Sequence, residues 1–530
     1  MILKDVLVSM PESKVLFREK ADGTTYVYYR TRTYRNKKGQ PTNDVVAIGK
    51  KDNKTGKLIP NPRYFELFPA SNHLNPKVPT PKLVQTTGSV VAMKDIANQT
   101  ELLSTLKHCL PTKWEQVLAT AFYMVSEGNV MMYISDWFEN NNVDFTDHMT
   151  DVDCSRLFAS ITEEEKRLFF SEWIKCRGEQ EYIAYDITSI STYSQNIVTA
   201  EWGYNRDNDS LPQINFGMFY GVTSNMPVYY QTYSGSIPDK MCLEFMMSTA
   251  KDLGIMNTSF VFDCGFVTED NFCFMYENNI SFITAMPGNR SEATKLIDMV
   301  KNSIEKSGNR IREYDVYGVK HTISMYGREI NVHIYFDQAR RLFETNEIYA
   351  YIDKLETELK HLSKSKHVTK RHKDYFNIDE QSKSSFSYEL DTQKLDDKLS
   401  RAGYFILLSY NLNLSSEEVL KIYREKDCIE KNFDQFKNGL DFKRLKTHQN
   451  KTMDGKMFVG FIALILRTYM KHLIKKNNDL KKLTFEKILI ELKKIKTVTM
   501  SDNTKMLMPL SKLQKDIINT LSMDEVMLQI

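Results

Sequence analysis

The stretch Glu181–Thr192, EYIAYDITSIST, decides how the middle of this chain is to be read. It is a short apolar run rich in Ile and Tyr with one carboxylate, Asp186, inside it. Further on, SFVFDCGF repeats the pattern with Asp263. An acidic residue in an apolar strand is costly to bury unless it is paired or holds a cation. Two of them on one sheet point to a site, and carboxylate oxygens are natural ligands of magnesium.

Outward from these strands the periodicity alternates. EYIAYDITSIST, INFGMFYGVT and MPVYYQTYSG read as three strands separated by turn residues, and KMCLEFMMSTAKDLG as a helix. A strand over SFVFDCGF, a helix over TEDNFCFMYEN and a strand over SFITAMP follow. Three strands, helix, strand, helix, strand make a mixed α/β layer. Residues 290–400 interrupt it with strands such as HTISMYGREINVHIYF and the basic run 360–373, and GYFILLSY (403–410) resumes it.

Next comes KIYREKDCIEKNFDQFK, Lys421–Lys437. Read as one continuous helix at about 100° per residue, it places Tyr423, Lys426, Glu430 and Lys437 within roughly 60° of one another. Glu425 lies about 140° from Glu430 and points to solvent. Ile422, Ile429, Phe433, Phe436 and Leu440 form the apolar stripe that would hold the helix on the sheet. Asp186, Asp263 and Glu430 would together hold two metal ions about 4 Å apart, the spacing that clamps both oxygens of an in-line phosphoryl displacement.

Upstream, TYVYYRTRTYR, the turn Asn36–Gln40 and DVVAIG predict an antiparallel hairpin, and GKKDNKTGKL a second turn. Residues 1–60 hold 13 Lys/Arg against 6 Asp/Glu, so Arg30, Arg32 and Arg35 are candidates for phosphate contact. NPKVPTPKL (75–83) reads as a linker, and residues 93–178 carry helical periodicity. The boundaries expected are 1–80 for a basic β-ribbon region, 90–178 for a helical module, 180–289 and 401–476 for the two parts of the core, 290–400 for an insertion and 477–530 for a helical carboxyl-terminal region.

With 530 residues, 42% hydrophobic, 12% aromatic and 26% charged, the composition is that of a globular protein of several domains rather than a disordered one. The net charge of +3 makes any basic character local. Seven cysteines without a Cys-x-x-Cys pair fit neither a disulfide framework nor a zinc site, so a reducing cytoplasm is expected. The amino terminus lacks the apolar core of a signal peptide, and MFVGFIALIL (457–466) stops at Arg467, which predicts a buried helix and no membrane partner. Two basic amphipathic helices, near 457–476 and 484–496, are expected to close the chain.

The signature helix resembles that of the DDE transposases of bacterial insertion sequences, in the group marked by Tyr-x2-Arg-x3-Glu-x6-Lys. Here it is Tyr423, Lys426, Glu430 and Lys437, with lysine in place of arginine, which keeps the charge but loses the bidentate fork. The resemblance runs from VYYRTRTYRNKKGQP through both aspartate strands to GKMFVGFIALIL. It implies a ribonuclease-H-like mixed sheet with helices, interrupted by a largely β insertion, with an amino-terminal DNA-binding region. It implies catalytic, metal-binding Asp186, Asp263 and Glu430, two Mg2+ ions with Mn2+ as a substitute, and phosphate contacts from Tyr423, Lys426 and Lys437. The implied activity is cleavage at terminal inverted repeats and joining of the 3′ ends to target DNA, by a homodimer on double-stranded DNA in the bacterial cytoplasm, with a hairpin on the second strand. The rivals are a nuclease of the same fold without strand transfer and a domesticated DNA-binding protein.

Overall fold

Alternating side chains in the first part of the chain build a four-stranded antiparallel sheet. Its strands, in sheet order, are β1 (Val15–Glu19), β2 (Thr25–Arg35), β3 (Pro41–Lys51) and β4 (Leu58–Pro60). The β2–β3 turn closes because the Asn36 side chain accepts from the backbone N–H of Lys38 and Gln40, with Gly39 in the left-handed region at φ 76°. Asp52 holds the β3–β4 turn through Thr55. Val27, Ile48 and Leu58 bury one face together with Tyr64 and Phe65 of α1 (Pro62–Leu67).

A computed structural model describes residues 6–74, 80–177, 182–255, 258–362, 368–382 and 385–523. The chain forms two units, Met1–Leu83 with Val498–Lys505, and Val84–Thr497 with Met506–Ile530. Most of the proline-rich stretch 75–83 and the middle of the basic run 360–373 lie outside the described residues.

After β5 (Pro81–Thr86) the second unit opens with six helices, α2 (Gly88–Gln99), α3 (Leu102–Cys109), α4 (Trp114–Glu127), α5 (Ile134–Asn140), α6 (Asp151–Ser160) and α7 (Glu163–Arg177). The sequence predicts them as a module of their own. Instead they share one core with the sheet: Phe169 packs edge-on to Phe458, and the Trp173 indole N–H donates to the Pro227 carbonyl at 3.0 Å. Their apolar faces meet the sheet and one another in that single core.

The strands with the aspartates follow in the order expected: β6 (Tyr182–Ser191), β7 (Gln213–Gly221), β8 (Met226–Ser234), α8 (Asp239–Asp252), β9 (Ser259–Phe262), α9 (Glu269–Glu277) and β10 (Phe282–Ala285). Then come α10 (Ser291–Val300), β11 (Arg310–Ile311), β12 (Val316–Met325), β13 (Arg328–Phe336), α11 (Gln338–Leu362), α12 (Lys370–Lys373), β14 (Phe376–Ser382), β15 (Ser385–Leu390), α13 (Thr392–Leu399) and β16 (Tyr404–Tyr410). Nine strands form one mixed sheet, β11-β12-β13-β16-β10-β9-β6-β7-β8, with β6, β9 and β10 parallel and the other pairs antiparallel. Every residue of β7 is buried, as a strand covered on both faces must be.

The stretch 290–400 differs from a largely β insertion. Its first half supplies β11–β13 to the main sheet, because β16 pairs with β10 on one side and β13 on the other. Its second half is dominated by the 25-residue α11, which with the β14–β15 hairpin encloses a small core around Leu355, Leu359 and Phe376.

The signature segment also differs from one straight helix. It is α14 (Ser416–Glu425) and α15 (Asp427–Asp434), broken at Lys426, where the N–H of Ile429 turns to the Lys426 carbonyl. It ends in a single wide π-type turn at Gln435–Gly439. The predicted stripe of Ile422, Ile429, Phe433, Phe436 and Leu440 is buried throughout. Finally, α16 (Asn450–Lys476) is a core helix rather than a basic amphipathic one: among described residues it alone is long and apolar enough to cross a membrane, and 78% of its most apolar window is buried inside the protein. Cations emerge at its last turns. α17 (Phe485–Lys493) and α18 (Lys512–Thr520) close the chain.

Candidate active site

β6 and β9 run parallel with Tyr182 opposite Ser259, Ile183 opposite Phe260 and Ala184 opposite Val261. On that constant offset Asp186 stands level with Asp263, one strand spacing of about 4.8 Å away. Asp263 is the first residue beyond β9, where the chain turns into a short 3-10 turn, Cys264–Phe266. The Thr284 hydroxyl on β10 donates to its carbonyl at 3.2 Å and fixes the exit of the strand. The sheet therefore brings together two carboxylates that lie far apart in sequence.

Asp186 is perturbed by its surroundings. Burial pushes its carboxyl up to about 6, Arg206 and Lys426 pull it back, the backbone N–H of Ile187 helps them, and Asp263 adds to the rise. The raised value makes the anion a liability to the fold. Below about pH 4 folded and unfolded chains are both protonated and there is no effect; between about pH 4 and 6 a penalty develops that reaches about 3 kcal/mol.

The signature residues are placed as follows. The Tyr423 hydroxyl, largely buried, donates to Asp263 Oδ1 at 3.4 Å, a long bond that orients more than it binds. Burial and Asp263 raise that phenol far above its ordinary value. Lys426 is buried with its ammonium 5.8 Å from the Tyr423 ring centre and 3.6 Å from Glu430. Glu430 itself is exposed, and among the described residues no three His, Cys, Asp or Glu side chains are gathered as metal ligands. Of the expected triad, Asp186 and Asp263 stand on neighbouring strands, while Glu430 is exposed and held at the rim by its ion pair with Lys426. Glu425 is exposed, as expected.

Lys437 departs from the expected phosphate contact. It is buried by the π-type turn, and its ammonium pairs with Asp207 at 2.8 Å. Asp207 belongs to the loop between β6 and β7, which sequence reasoning passed over. That loop is stitched to its surroundings by Arg206–Asp239 at 2.5 Å and Arg444–Asp209 at 2.6 Å. It delivers the Arg206 charge to Asp186 and exposes Tyr193, Trp202 and Tyr204. The run NRDND (205–209) was its one signal, and alternating charges in a loop do not name their partners.

Arg30, Arg32 and Arg35 lie in the other unit. Arg30 is half-buried with its Nε lacking a hydrogen bond, Arg32 stacks over Tyr34 at 5.5 Å, and Arg35 donates to the Gly39 carbonyl. Beside them Arg18 lies over Tyr28 at 4.8 Å, and Lys20 and Lys50 over Tyr26 at 4.9 and 5.1 Å. The result is a sheet face of tyrosines interleaved with cations.

The donor set suits a hard divalent cation. Two level carboxylates, one of them disfavoured as an isolated anion by burial and by its neighbour, gain from a positive charge between them. Oxygen ligands without sulfur or imidazole favour magnesium or manganese.

No curated protein matches this sequence. Among solved structures, the chain is similar to a cryo-EM structure of the piggyBac transposase synaptic complex with hairpin DNA, at 11% identity over 77% of this chain and 76% of that one, with a TM-score of 0.34. The family described as the transposase DDE domain matches residues 177–466, from just before β6, through both aspartates and the signature helix, to Leu466 in α16. That match takes in more than half of the chain, which therefore belongs to the transposase DDE domain family.

Proposed function

We propose that this chain is an insertion-sequence transposase that binds terminal inverted repeats, cuts DNA at the element ends and joins the 3′ ends to target DNA. The observation that carries the reading is the level pair of Asp186 and Asp263 on adjacent parallel strands, with the signature helix laid across them. The run of strands β8-β7-β6-β9-β10, with β6, β9 and β10 parallel, supports a ribonuclease-H-like core.

Asp186 and Asp263 would hold divalent cations, with Glu430 as the third carboxylate. Such ions, when bound, polarise the phosphate and activate the attacking oxygen. The chain's own residues do the rest. Tyr423 orients the Asp263 carboxylate. Arg206 and Lys426 hold Asp186 towards its ionised form. Lys426 also restrains Glu430 at the rim. Lys437 is a positioning residue, locking the aromatic loop to the end of the signature helix through Asp207. Two copies on paired ends would supply one site per end.

Incubating the protein with magnesium, terminal repeats and a target plasmid tests the reading; joined products are expected, and cutting without joining would leave a nuclease. A binding measurement tests the cation assignment independently of activity. At neutral pH, Mg2+ is expected to raise the melting temperature of the wild type but not of Asp186→Asn. At pH 4, where the carboxyl is protonated, it should raise neither. In the absence of cation Asp186→Asn should melt higher than the wild type at neutral pH, by the share of about 3 kcal/mol that burial imposes. Equal Mg2+ shifts in both proteins would count against the site.

The tyrosine and cation face of the first unit is the proposed contact for the element ends. Arg32→Ala with Lys20→Ala is expected to weaken binding alike on all sequences and to lower the slope of log affinity against log salt by about 0.9 per lost phosphate contact. An unchanged slope would remove these residues from the interface.

A further inference from the structure

Behind the signature helix, on the opposite side from the aspartates, the second unit has a cleft of about 1030 Å³. Tyr182 and Ser259, the first residues of β6 and β9, lie at its floor. Four residues separate Tyr182 from Asp186, so the cleft opens about 13 Å from the carboxylates along the strand. One wall is the outer face of α14 and α15 with Lys421 and Lys431; the other is the end of α16 with Lys471, His472 and Lys475.

We propose that this cleft binds the phosphate backbone of a DNA segment other than the one cut at Asp186 and Asp263. The inference deepens the transposase reading and rests on it. Three observations carry it. Lys421 of α14, Lys431 of α15 and Lys471 and Lys475 of α16 come from three helices, and among the described residues none of the four makes an ion pair, whereas many lysines elsewhere in the chain do. The carboxylates of the cleft are fewer, and one is engaged: Glu418 is held by the Ser415 cap of α14. The cations also crowd one another. Lys471 is held below its ordinary value by burial, then by Arg467 and Lys475, although Asp434 and Glu486 oppose this; His472 is held low by burial, Lys476 and Lys475. A concave surface on which Lys421, Arg424, Lys431, Lys471 and Lys475 outnumber Glu418, Glu425 and Asp427, on a protein with a net charge of only +3, suits a polyanion.

The geometry also says why the polyanion is a second segment. Tyr423 and Lys426 turn one face of the helix to the aspartates, while Lys421 and Lys431 turn the other to the cleft. The helix stands between two nucleic-acid surfaces, and a reaction that joins one DNA to another needs both.

The test is lysine acetylation of the full-length protein, read by mass spectrometry, with and without a double-stranded DNA. Several-fold protection of Lys421, Lys431, Lys471 and Lys475 is expected, reversed by high salt. Inorganic triphosphate at matched phosphate concentration should not protect them. Lys421→Glu with Lys431→Glu, both at exposed positions, should weaken duplex binding about tenfold and lower the salt slope by about 2. Unchanged protection and slope would overturn the proposal, as would full protection by triphosphate alone. The two readings fail separately. A protein that cuts DNA with an unprotected cleft keeps the transposase reading and loses this one. A protected cleft in a protein that neither cuts nor joins DNA does the reverse.

Discussion

Asp186→Asn is expected to abolish DNA cleavage, with a loss of about a thousandfold or more. A carboxylate ligand of a catalytic cation controls several kcal/mol of transition-state stabilisation, and each 1.4 kcal/mol is tenfold in rate. The substitution keeps the volume and removes the charge, so the fold should survive and even gain at neutral pH. Asp263→Asn is expected to lose cleavage to the same extent. Glu430→Gln is expected to match them, whereas Glu425→Gln should leave cleavage within a few-fold of the wild type, because Glu425 points away from the aspartates. The comparison matters because Glu430 is exposed and paired with Lys426, not gathered with the two aspartates. Single-turnover cleavage of a labelled end, with the circular dichroism of each variant, measures this. Equal rates for the Glu430 and Glu425 variants would remove Glu430 from the site and leave a two-aspartate centre.

Gly455→Ala is expected to cost about 3 kcal/mol or more and to leave little soluble protein. At this position in α16 a Cβ would lie 2.0 Å from the Phe158 carbonyl oxygen and 2.6 Å from its carbon, both backbone atoms of α6. No rotamer relieves a clash with backbone, so the two helices must separate, and overpacking of this kind falls at the upper end of the usual 1–3 kcal/mol. The damage spreads because α16 packs on α4, α6 and β8 and forms the middle of the core. Gly308→Ala is the control: open space surrounds its Cβ position and its backbone is ordinary, so an effect within about 0.5 kcal/mol is expected. Denaturation followed by near-ultraviolet circular dichroism compares the two. Coincident midpoints would show that the helix contact is softer than the structure depicts.

The sequence by itself determined what depends on neighbours along the chain. Strand, helix and turn follow from periodicity and from residues such as Asn36 and Gly39, and the three-strand, helix, strand, helix, strand order around Asp186 and Asp263 was legible for that reason. The buried stripe of the signature segment was legible too, since Ile422, Ile429, Phe433, Phe436 and Leu440 recur at helical spacings of seven, four, three and four. Tertiary structure alone decided the rest. The level placement of Asp186 and Asp263 is a matter of strand register, which hydrogen bonding between distant segments sets. The break at Lys426 and the π-type turn at Lys437 fall where two ammonium groups are buried, the second of them against Asp207, a residue 230 positions away. The first-half strands of the supposed insertion joined the main sheet because β16 offered an unpaired edge. Helices α2–α7 read as separate because each is amphipathic; that their apolar faces meet the sheet and α16 is a property of the surfaces they find, and no local pattern encodes which surface that will be.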